Sequence, residues 1–266
     1  MPLDRRGFLH WAAAGAVAGA LGGRHSQLAP QPAPRSVPPQ TSRSLKAVAF
    51  DAFAIFDPRP VAALCETLFP GQGAPLGEAW RARQFEYQWL RSLGGRYADF
   101  EKTTEDALVF AAKQKGLELP PEKRARLMQA WLELKAWPDV APALESLKKA
   151  GVRLAFLSNM TPRLLAAGIA NSALAGAFDA VLSTDERKVF KPDPRAYQLA
   201  LDSLRLEREE IAFVPFAGWD VAGAKWFGFP TCWVNRANAP SEELGVAPDA
   251  TGSDLGELVR FVTAAR

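Results

Sequence analysis

Five short apolar runs constrain this chain most, because the last four of them are separated by segments of helical character. Those separating segments lie at 162–174, 194–204 and 219–227. Buried strands that alternate with helices of about ten residues are typical of a parallel sheet. The sequence therefore predicts an α/β fold, with a Rossmann-like parallel sheet core and helices on both faces. The five runs are 46–51, 152–157, 178–182, 211–216 and 229–234.

The long stretch between the first two runs has no strand pattern. Apolar residues recur there at helical spacing in 79–93, 103–115 and 123–134, and Pro120-Pro121 precedes the last of these segments as a helix-start signal. This pattern predicts a helical cap domain inserted after strand one. The expected division is a core domain formed by 45–57 and 138–266, with the cap at 58–137.

The first 44 residues differ in composition from the rest of the chain. Residues 1–27 resemble a twin-arginine (Tat) signal peptide, since Arg5-Arg6 precedes a weakly apolar stretch that ends in Ala18-Gly19-Ala20. A ragged start codon or a cytoplasmic N-terminus is the alternative. Residues 28–44 form a Pro-rich linker of extended character. We expect a periplasmic or exported protein with no membrane domain once the signal is removed, because no apolar run is long enough to span a bilayer.

Charge and rare residues exclude several classes of function. After residue 44 the chain carries 27 basic and 28 acidic side chains. Nucleic-acid binding requires clustered Lys and Arg, so this balance argues against a nucleic-acid partner. The only histidines, His10 and His25, precede the body, which excludes a His general base or a His-ligated zinc there. Cys65 and Cys232 are predicted to be two buried thiols, with a single disulfide left open.

Polar residues interrupt the apolar runs at the places where predicted strands end. Asp51 ends the first run, Ser158-Asn159 the second, Lys191 follows the third and Asp220 follows the fourth. The carboxyl ends of parallel strands meet at one edge, where ligands bind in open α/β sheets. We therefore expect these side chains to share one crevice. The alternatives are a loop cap for Asp51, a solvated surface lysine, an N-cap role for Asp220 and a simple turn at Ser158-Asn159.

Five segments of the body form an ordered set of motifs. They are Phe50-Asp51-Ala52, WRARQFEYQWLRSLGGRYADF at 80–100, Leu157-Ser158-Asn159, VFKPDPRAY at 189–197 and WDVAGAKWFGF at 219–229. In this order they resemble the haloacid dehalogenase superfamily and its type II L-2-haloacid dehalogenase branch. The resemblance extends from about Lys46 to Val262, and the segment at 80–100 separates this branch from its phosphatase relatives.

The resemblance implies covalent catalysis without metal or cofactor. Asp51 would be the nucleophile that displaces halide from C2 and forms an ester. Arg81, reaching down from the cap, would stabilise the departing halide together with Asn159. Ser158 would hold the substrate carboxylate with backbone amides.

Further residues follow from the same resemblance. Lys191, oriented by Asp220, would keep Asp51 ionised, since an opposite charge within about 4 to 6 Å lowers a carboxylate pKa. Tyr197 would support that pair of charges. Phe100 and Trp219 would line an apolar pocket around the alkyl group.

The chain also departs from the family pattern at two loops. The loop at 51–57 (DAFAIFD) is one residue shorter than the family's, and it lacks the family's tyrosine, glycine and threonine. Pro215-Phe216-Ala217 stands where the family has two serines and an asparagine, so the residue expected to position the hydrolytic water is missing. Phe53 also stands where the superfamily's phosphatases have a second aspartate, which acts as their general acid. Because a halide leaves without taking a proton, dehalogenation does not require this acid.

Three hypotheses follow. The first is an enzyme that hydrolyses short L-2-haloalkanoic acids to 2-hydroxy acids through an aspartyl ester, in which ester formation survives the loop changes better than ester hydrolysis. The second is a catalytically degenerate relative that binds a small carboxylate or a partner protein. The third, phosphoryl transfer, is disfavoured by Phe53.

Phe85, Trp89 and Leu93 are expected to form core or subunit contacts, and a homodimer through the cap is a further expectation.

Overall fold

The central element of the computed structural model, which describes residues 44–265, is a four-stranded parallel sheet. Its strands are β1 (Ala47–Phe50), β2 (Arg153–Ser158), β3 (Ala180–Ser183) and β4 (Ile211–Val214), in the order β3-β2-β1-β4. The register aligns Phe50 with Phe156 on one side and with Val214 on the other. β1 and β4 therefore end at the same level and β2 continues two residues further, which places the residues at these strand ends side by side.

Helices cover both faces of this sheet, as the alternation of apolar runs predicts. Val48 and Phe50 of β1 belong to one hydrophobic cluster, and Ala47 and Ala49 belong to another on the opposite face. This alternation along a strand that is buried throughout confirms the predicted α/β core. The core helices are α1 (Ala52–Ile55), α6 (Val140–Lys149), α7 (Pro162–Asn171), α8 (Pro194–Leu204), α9 (Gly218–Phe227) and α10 (Leu255–Ala264).

The fifth apolar run forms a shorter strand than predicted. β5 (Cys232–Val234) pairs with β6 (Ala250–Gly252) in a separate two-stranded parallel sheet, which a single bridge between Phe213 and Thr231 joins to β4. The sequence gives no sign of β6, because a three-residue strand that includes exposed Thr251 has no apolar pattern.

The chain leaves and re-enters the core through two crossing segments. Phe56 forms an antiparallel bridge with Ala136, and the N–H of Trp137 donates to the carbonyl oxygen of Ile55 at 2.9 Å. Between these crossings lie only helices, as the sequence predicts. They are α2 (Arg59–Leu68), α3 (Gly73–Leu93), α4 (Phe100–Gln114) and α5 (Pro121–Ala130). A core–cap division at 57/58 and 137/138 remains our proposal.

Several predictions concern residues outside this description. The signal peptide at 1–27 and nearly all of the linker at 28–44 lie outside residues 44–265. Within the described range, none of the helices combines the length and hydrophobicity that crossing a bilayer requires. Cys65 and Cys232 are both buried free thiols, and burial raises their pKa values to about 11 and about 12. The expectation of two buried thiols is confirmed.

Candidate active site

Asp51 lies at the tip of β1, where the strand turns into α1. Its N–H donates to the carbonyl oxygen of Val214, which continues the pairing with β4 by one residue. The side chain caps α1, since Oδ1 accepts from the N–H of Phe53 at 2.9 Å. Its other oxygen, Oδ2, accepts from Lys191 Nζ at 2.9 Å. One oxygen of the carboxylate therefore caps the loop, and the other forms the contact with Lys191.

Lys191 is a fully buried cation between two carboxylates. Its Nζ lies 2.9 Å from Asp51 Oδ2 and 2.6 Å from Asp220 Oδ2. Burial opposes the charge of the ammonium, but the two neighbouring carboxylates outweigh burial and raise the pKa of Lys191. The backbone N–H of Lys191 donates to Asn159 Oδ1, which fixes the loop against the end of β2. The interpretation of Lys191 as a solvated surface residue is wrong.

Asp220 is held by two donors rather than capping a helix. It is the third residue of α9, whose N-cap is Ala217, so the N-cap interpretation is wrong. Asp220 Oδ1 accepts from Tyr197 Oη at 2.6 Å, while its Oδ2 accepts from Lys191. Burial and the nearby charge of Asp51 raise the pKa of Asp220 to about 6, although Lys191 and Tyr197 act in the opposite direction.

Close packing brings Tyr197 to Asp220. A Cβ placed on Gly223 would lie 2.3 Å from Tyr197 Oη, so only glycine permits this approach between α8 and α9. Burial raises the pKa of Tyr197 well above its usual value, and the hydroxyl therefore keeps its proton and serves as a donor. The interior ends of two helices thus support one ion pair.

The pocket around Asp51 is very small, with a volume of about 20 Å³. This volume is close to the smallest that can hold one water molecule. Ser158 and Asn159 line it at the end of β2, where Ser158 Oγ accepts from the N–H of Met160 and Asn159 is bound by Gln88. The other residues of its wall are Phe53, Phe85, Gln88, Phe100, Met160, Phe216, Ala217, Trp219 and Asp220. Phe100 and Trp219 lie where the sequence predicts them, and the structure brings all the predicted site residues together except Arg81.

Gln88 is a polar residue of this pocket that the sequence analysis missed. It is fully buried on α3, and its Oε1 accepts from Asn159 Nδ2 at 2.8 Å. Its Nε2 has no hydrogen-bond partner among the described residues, and neither has Trp219 Nε1. Two buried donors without acceptors in one pocket suit an anionic ligand or a water molecule. A signal was present, because Gln88 follows Arg81 by seven residues, which places both on one helix face.

Arg81 does not line the Asp51 pocket. It lies on the wall of a neighbouring cavity, and its guanidinium is 5.7 Å from the ring centre of Phe216 and 5.8 Å from that of Phe85. Phe53, Phe85 and Phe216 line both spaces. The apolar surroundings lower the pKa of Arg81 by desolvation. The expectation that Arg81 hangs over Asp51 stays a prediction.

The apolar residues of α3 that were expected to form core or subunit contacts, Phe85, Trp89 and Leu93, do not all have the same role. Phe85 lines the Asp51 pocket and packs against Trp89 and Trp219, so it is more than a core contact. Leu93 and its neighbour Leu90 are instead exposed, at 87% and 61%. One helix thus contributes a pocket wall at its centre and an uncovered apolar end.

The residue types of the site favour nucleophilic chemistry. The carboxylate of Asp51 lines the pocket next to a buried ammonium, and a carboxylate in such a position can act as a nucleophile. Within residues 44–265, no three or more His, Cys, Asp and Glu side chains are grouped so that they could hold a metal ion. The loop after β4 contributes only Phe216 and Ala217 to the wall, so no side-chain amide reaches the pocket from there.

Comparison with known families gives one matching model. Residues 34–228 match the model for haloacid dehalogenase-like hydrolases. The chain is 43% identical over 223 residues to an (S)-2-haloacid dehalogenase of Pseudomonas sp. (strain YL), covering 83% of this chain and 96% of the relative. It is also 37% identical over 221 residues to haloacetate dehalogenase H-2 of Moraxella sp. (strain B), covering 83% and 99% of the two chains.

Solved structures give the same result. The fold superposes with a TM-score of 0.75 on an L-2-haloacid dehalogenase from Xanthobacter autotrophicus with chloropropionic acid covalently bound, at 38% identity. That comparison covers 82% of this chain and 98% of the solved chain. Sequence and structure therefore point to one branch of one family.

Proposed function

The chain belongs to the haloacid dehalogenase-like hydrolases, in their L-2-haloacid dehalogenase branch, and we propose that it hydrolyses short L-2-haloalkanoic acids to 2-hydroxy acids at Asp51. The observation that carries this proposal is the row of contacts Asp51–Lys191–Asp220, at 2.9 and 2.6 Å, at the end of the sheet. The relative with covalently bound chloropropionic acid supports an ester intermediate.

In the first step a carboxylate oxygen of Asp51 attacks C2 of the substrate from the side opposite the halogen. A carbon–oxygen bond forms, the carbon–halogen bond breaks and the halide leaves with the bonding electrons. Lys191 favours this step because its charge offsets the repulsion between Asp51 and the substrate carboxylate. Because a single displacement inverts C2, an L-substrate gives a D-2-hydroxy acid.

Two groups of donors are available for the two charges on the substrate. Ser158 and nearby backbone amides are assigned to the substrate carboxylate, and Asn159 and Trp219 to the departing halide. Phe100 contacts the alkyl group. Arg81, on the wall of the neighbouring cavity, is assigned to the halide as well.

In the second step water attacks the carbonyl carbon of the ester. The bond from that carbon to the alkoxy oxygen breaks, and this oxygen takes one proton of the water as the 2-hydroxy acid leaves. Asp51 regains a carboxylate that contains the oxygen of the water, whose second proton goes to solvent. Phe216 and Ala217 offer no side-chain donor to this water. Loss of one positioned donor typically costs about 10² to 10³ in rate. We infer that ester hydrolysis limits turnover.

Release of chloride from L-2-chloropropionate tests the proposed function. We expect chloride and D-lactate from the L-enantiomer and no chloride from the D-enantiomer, because back-side attack requires one configuration at C2. Absence of chloride with either enantiomer and with chloroacetate would favour the alternative, a degenerate relative that only binds carboxylates.

The pH dependence of ester formation should report the protonation of Asp220. When Asp220 becomes neutral, the charge of Lys191 acts on Asp51 alone and makes it a weaker nucleophile, so kcat/KM should fall as the pH drops through about 6. Tyr197 donates to Asp220 and stabilises its charged form. In Tyr197→Phe the pKa of Asp220 rises, and the acid limb of kcat/KM should move to higher pH.

The measurement is kcat/KM for chloride release from pH 4.5 to 8, a range chosen around this pKa. Tyr97→Phe is the matched control, because Tyr97 donates to Asp185 and does not line the Asp51 pocket. An acid limb that stays in place, or moves to lower pH, in Tyr197→Phe would contradict the role given to this hydroxyl.

Gln88 is proposed to position the hydrolytic water, because its buried Nε2 has no partner and faces no competing acceptor among the described residues. Gln88→Met keeps the length of the side chain and removes the donor. We expect ester formation to change little and ester hydrolysis to slow by about 10²-fold. Rapid-quench measurement of chloride should then show a burst close to one equivalent per active site.

Thr104→Val is the control for loss of a buried polar group in the cap. Thr104 accepts from Gln84 and lies outside the Asp51 pocket. The Thr104→Val variant should lower the stability of the fold without changing the ratio of the rates of ester formation and ester hydrolysis. Equal slowing of both steps in Gln88→Met would show that Gln88 acts only on the fold.

Export and subunit association complete the proposal. The Arg5-Arg6 motif supports export to the periplasm by the twin-arginine route. The exposed Leu90 and Leu93 on α3 support a homodimer formed through the cap. Fractionation of cells that express the full chain tests export, with a variant in which Arg5 and Arg6 are replaced by lysine as the control. Sedimentation of the mature protein tests whether it is a homodimer.

A further inference from the structure

Two walls of the Asp51 pocket come from distant parts of the chain. Phe100 begins α4, whereas Asn159 and Met160 follow β2, and all three side chains line the pocket and are buried. The pocket has a volume of only about 20 Å³. Even a small shift of one wall relative to the other would therefore change the size of the group that fits between them.

A carboxylate joins these two walls directly beside the pocket. It belongs to Glu101, the residue after Phe100 on α4. Thr161, the residue after Met160, donates from Oγ1 to Glu101 Oε2 at 2.8 Å. Arg163 donates to the other oxygen, Oε1, from Nε at 3.2 Å and from Nη2 at 2.5 Å. We call Glu101, Thr161 and Arg163 the clamp; none of the three lines the pocket.

The first turns of two helices hold the clamp in place. The hydroxyl of Thr161 also accepts from the N–H of Leu164 and so caps α7, which begins at Pro162. Glu101 lies in the first turn of α4, where the helix dipole stabilises a negative charge. The bond between Thr161 and Glu101 therefore links the starts of α4 and α7.

The two halves of the clamp differ in their exposure to water. Thr161 is buried, so its bond to Glu101 is shielded from solvent. The side chain of Arg163 is 65% exposed and that of Glu101 is 26% exposed. Exposed ion pairs contribute little to a fixed arrangement. The bond from Thr161 is thus the one that fixes α4 against the end of β2.

We propose that Glu101 is a positioning residue, which fixes Phe100 against the residues after β2 and thereby sets the length of the alkyl chain that the site accepts. This role rests on the proposed function, in which Ser158 and nearby amides hold the substrate carboxylate and Phe100 contacts the alkyl group. The clamp fixes the separation of these two contacts. Without it Phe100 withdraws, and a longer alkyl chain fits.

The selectivity of chloride release for chain length tests this role. The readout is kcat/KM for L-2-chlorohexanoate divided by kcat/KM for L-2-chloropropionate. Glu101→Ala removes both halves of the clamp, and this ratio should rise at least about tenfold, because one misfitting methylene in an apolar pocket costs about 10- to 200-fold. Glu101→Gln keeps an acceptor for Thr161 and should stay close to the wild-type ratio. Arg163→Met should do the same.

Glu133→Ala is the matched control. Glu133 accepts from Nη1 and Nη2 of Arg126 in a similar ion pair and does not line the pocket. Its removal should leave the ratio unchanged. Circular dichroism and thermal melting show whether each variant is folded. A residue that only supports the fold would lower both kcat/KM values by one factor, whereas loss of the clamp favours the longer substrate.

Calorimetric titration with propionate and hexanoate separates the role of Glu101 from dehalogenation itself. These acids have no halogen, so their binding requires no displacement at C2. If the wild-type chain releases no chloride from either substrate, the proposed function fails, and the ratio of the two binding affinities replaces the kinetic ratio. An unchanged ratio in folded Glu101→Ala, or an equal rise in Glu101→Gln or Glu133→Ala, would overturn the role of Glu101.

Discussion

Replacing Asp51 by asparagine should lower kcat for chloride release from L-2-chloropropionate by at least about 10⁴-fold, because the amide cannot form the ester. The fold should persist, since Lys191 keeps its 2.6 Å contact with Asp220. The asparagine Oδ1 can still accept from the N–H of Phe53 and cap α1. The measurement is steady-state chloride release, together with a denaturant unfolding curve of each protein.

Asp57→Asn is the matched control for this substitution. Asp57 lies six residues later in the chain, pairs with Arg59 and lines neither cavity. Its replacement should leave kcat within about twofold, since surface ion pairs contribute little. If Asp51→Asn kept more than a hundredth of the wild-type kcat while folded, Asp51 would not be the nucleophile.

Replacing Lys191 by methionine should both inactivate the protein and destabilise it. The variant leaves the buried carboxylates of Asp51 and Asp220 facing each other without a cation. Removing one partner of a buried ion pair typically costs about 3 to 5 kcal/mol of stability. Lys225→Met, which breaks the more exposed pair with Asp249, should cost less than about 1 kcal/mol.

The loss in Lys191→Met should depend on pH. Lys191 lowers the pKa of Asp220, so its removal raises that pKa further above the value in the unfolded chain. A carboxyl whose folded pKa is raised is favourable when protonated, and stability falls as the pH rises through the folded value. The difference in unfolding free energy between wild type and variant should therefore be larger at pH 8 than at pH 5.

A double variant separates charge from packing. Lys191→Met combined with Asp220→Asn removes one of the two facing carboxylates, so it should recover part of the stability at pH 8 but none of the activity. Equal stability losses at both pH values, with no recovery in the double variant, would indicate that Lys191 contributes by packing rather than by charge.

Much of the fold could be predicted because local and long-range patterns agree in this chain. The apolar runs that precede Asp51, Ser158 and Asp220 are buried on both faces, so their hydrophobicity alone marks them as inner strands of a parallel sheet. The helix α8 begins at Pro194 after the capping residue Asp193, and the predicted bounds match the observed ones. The strand β6 carries no such signal and was missed.

The site could be predicted where the backbone alone determines position. Strand ends of a parallel sheet meet at one edge, which is enough to bring Asp51, Asn159 and Lys191 together. Arg81 and Gln88 depend instead on the rotation of α3 and on which aromatic side chains fill the space below it. Because Phe53 and Phe216 lie there, Gln88 reaches the pocket and Arg81 does not. Sequence spacing cannot specify that arrangement.

The altered loops have a common physical consequence. Phe53 and Phe216 lie 5.9 Å apart, ring centre to ring centre, and both line the Asp51 pocket. They present apolar surface to this pocket where the family pattern has polar groups. The same two residues thus underlie the proposed slow hydrolysis.

The mass of the intact protein during reaction with L-2-chloropropionate tests the central claim most directly. We predict a species heavier by one substrate residue without its halide, mapped by peptide fragmentation to Asp51, which accumulates because hydrolysis is slow and is absent in Asp51→Asn. Chloride release with no such species on Asp51, and no incorporation of ¹⁸O from labelled water into its carboxylate, would contradict the account.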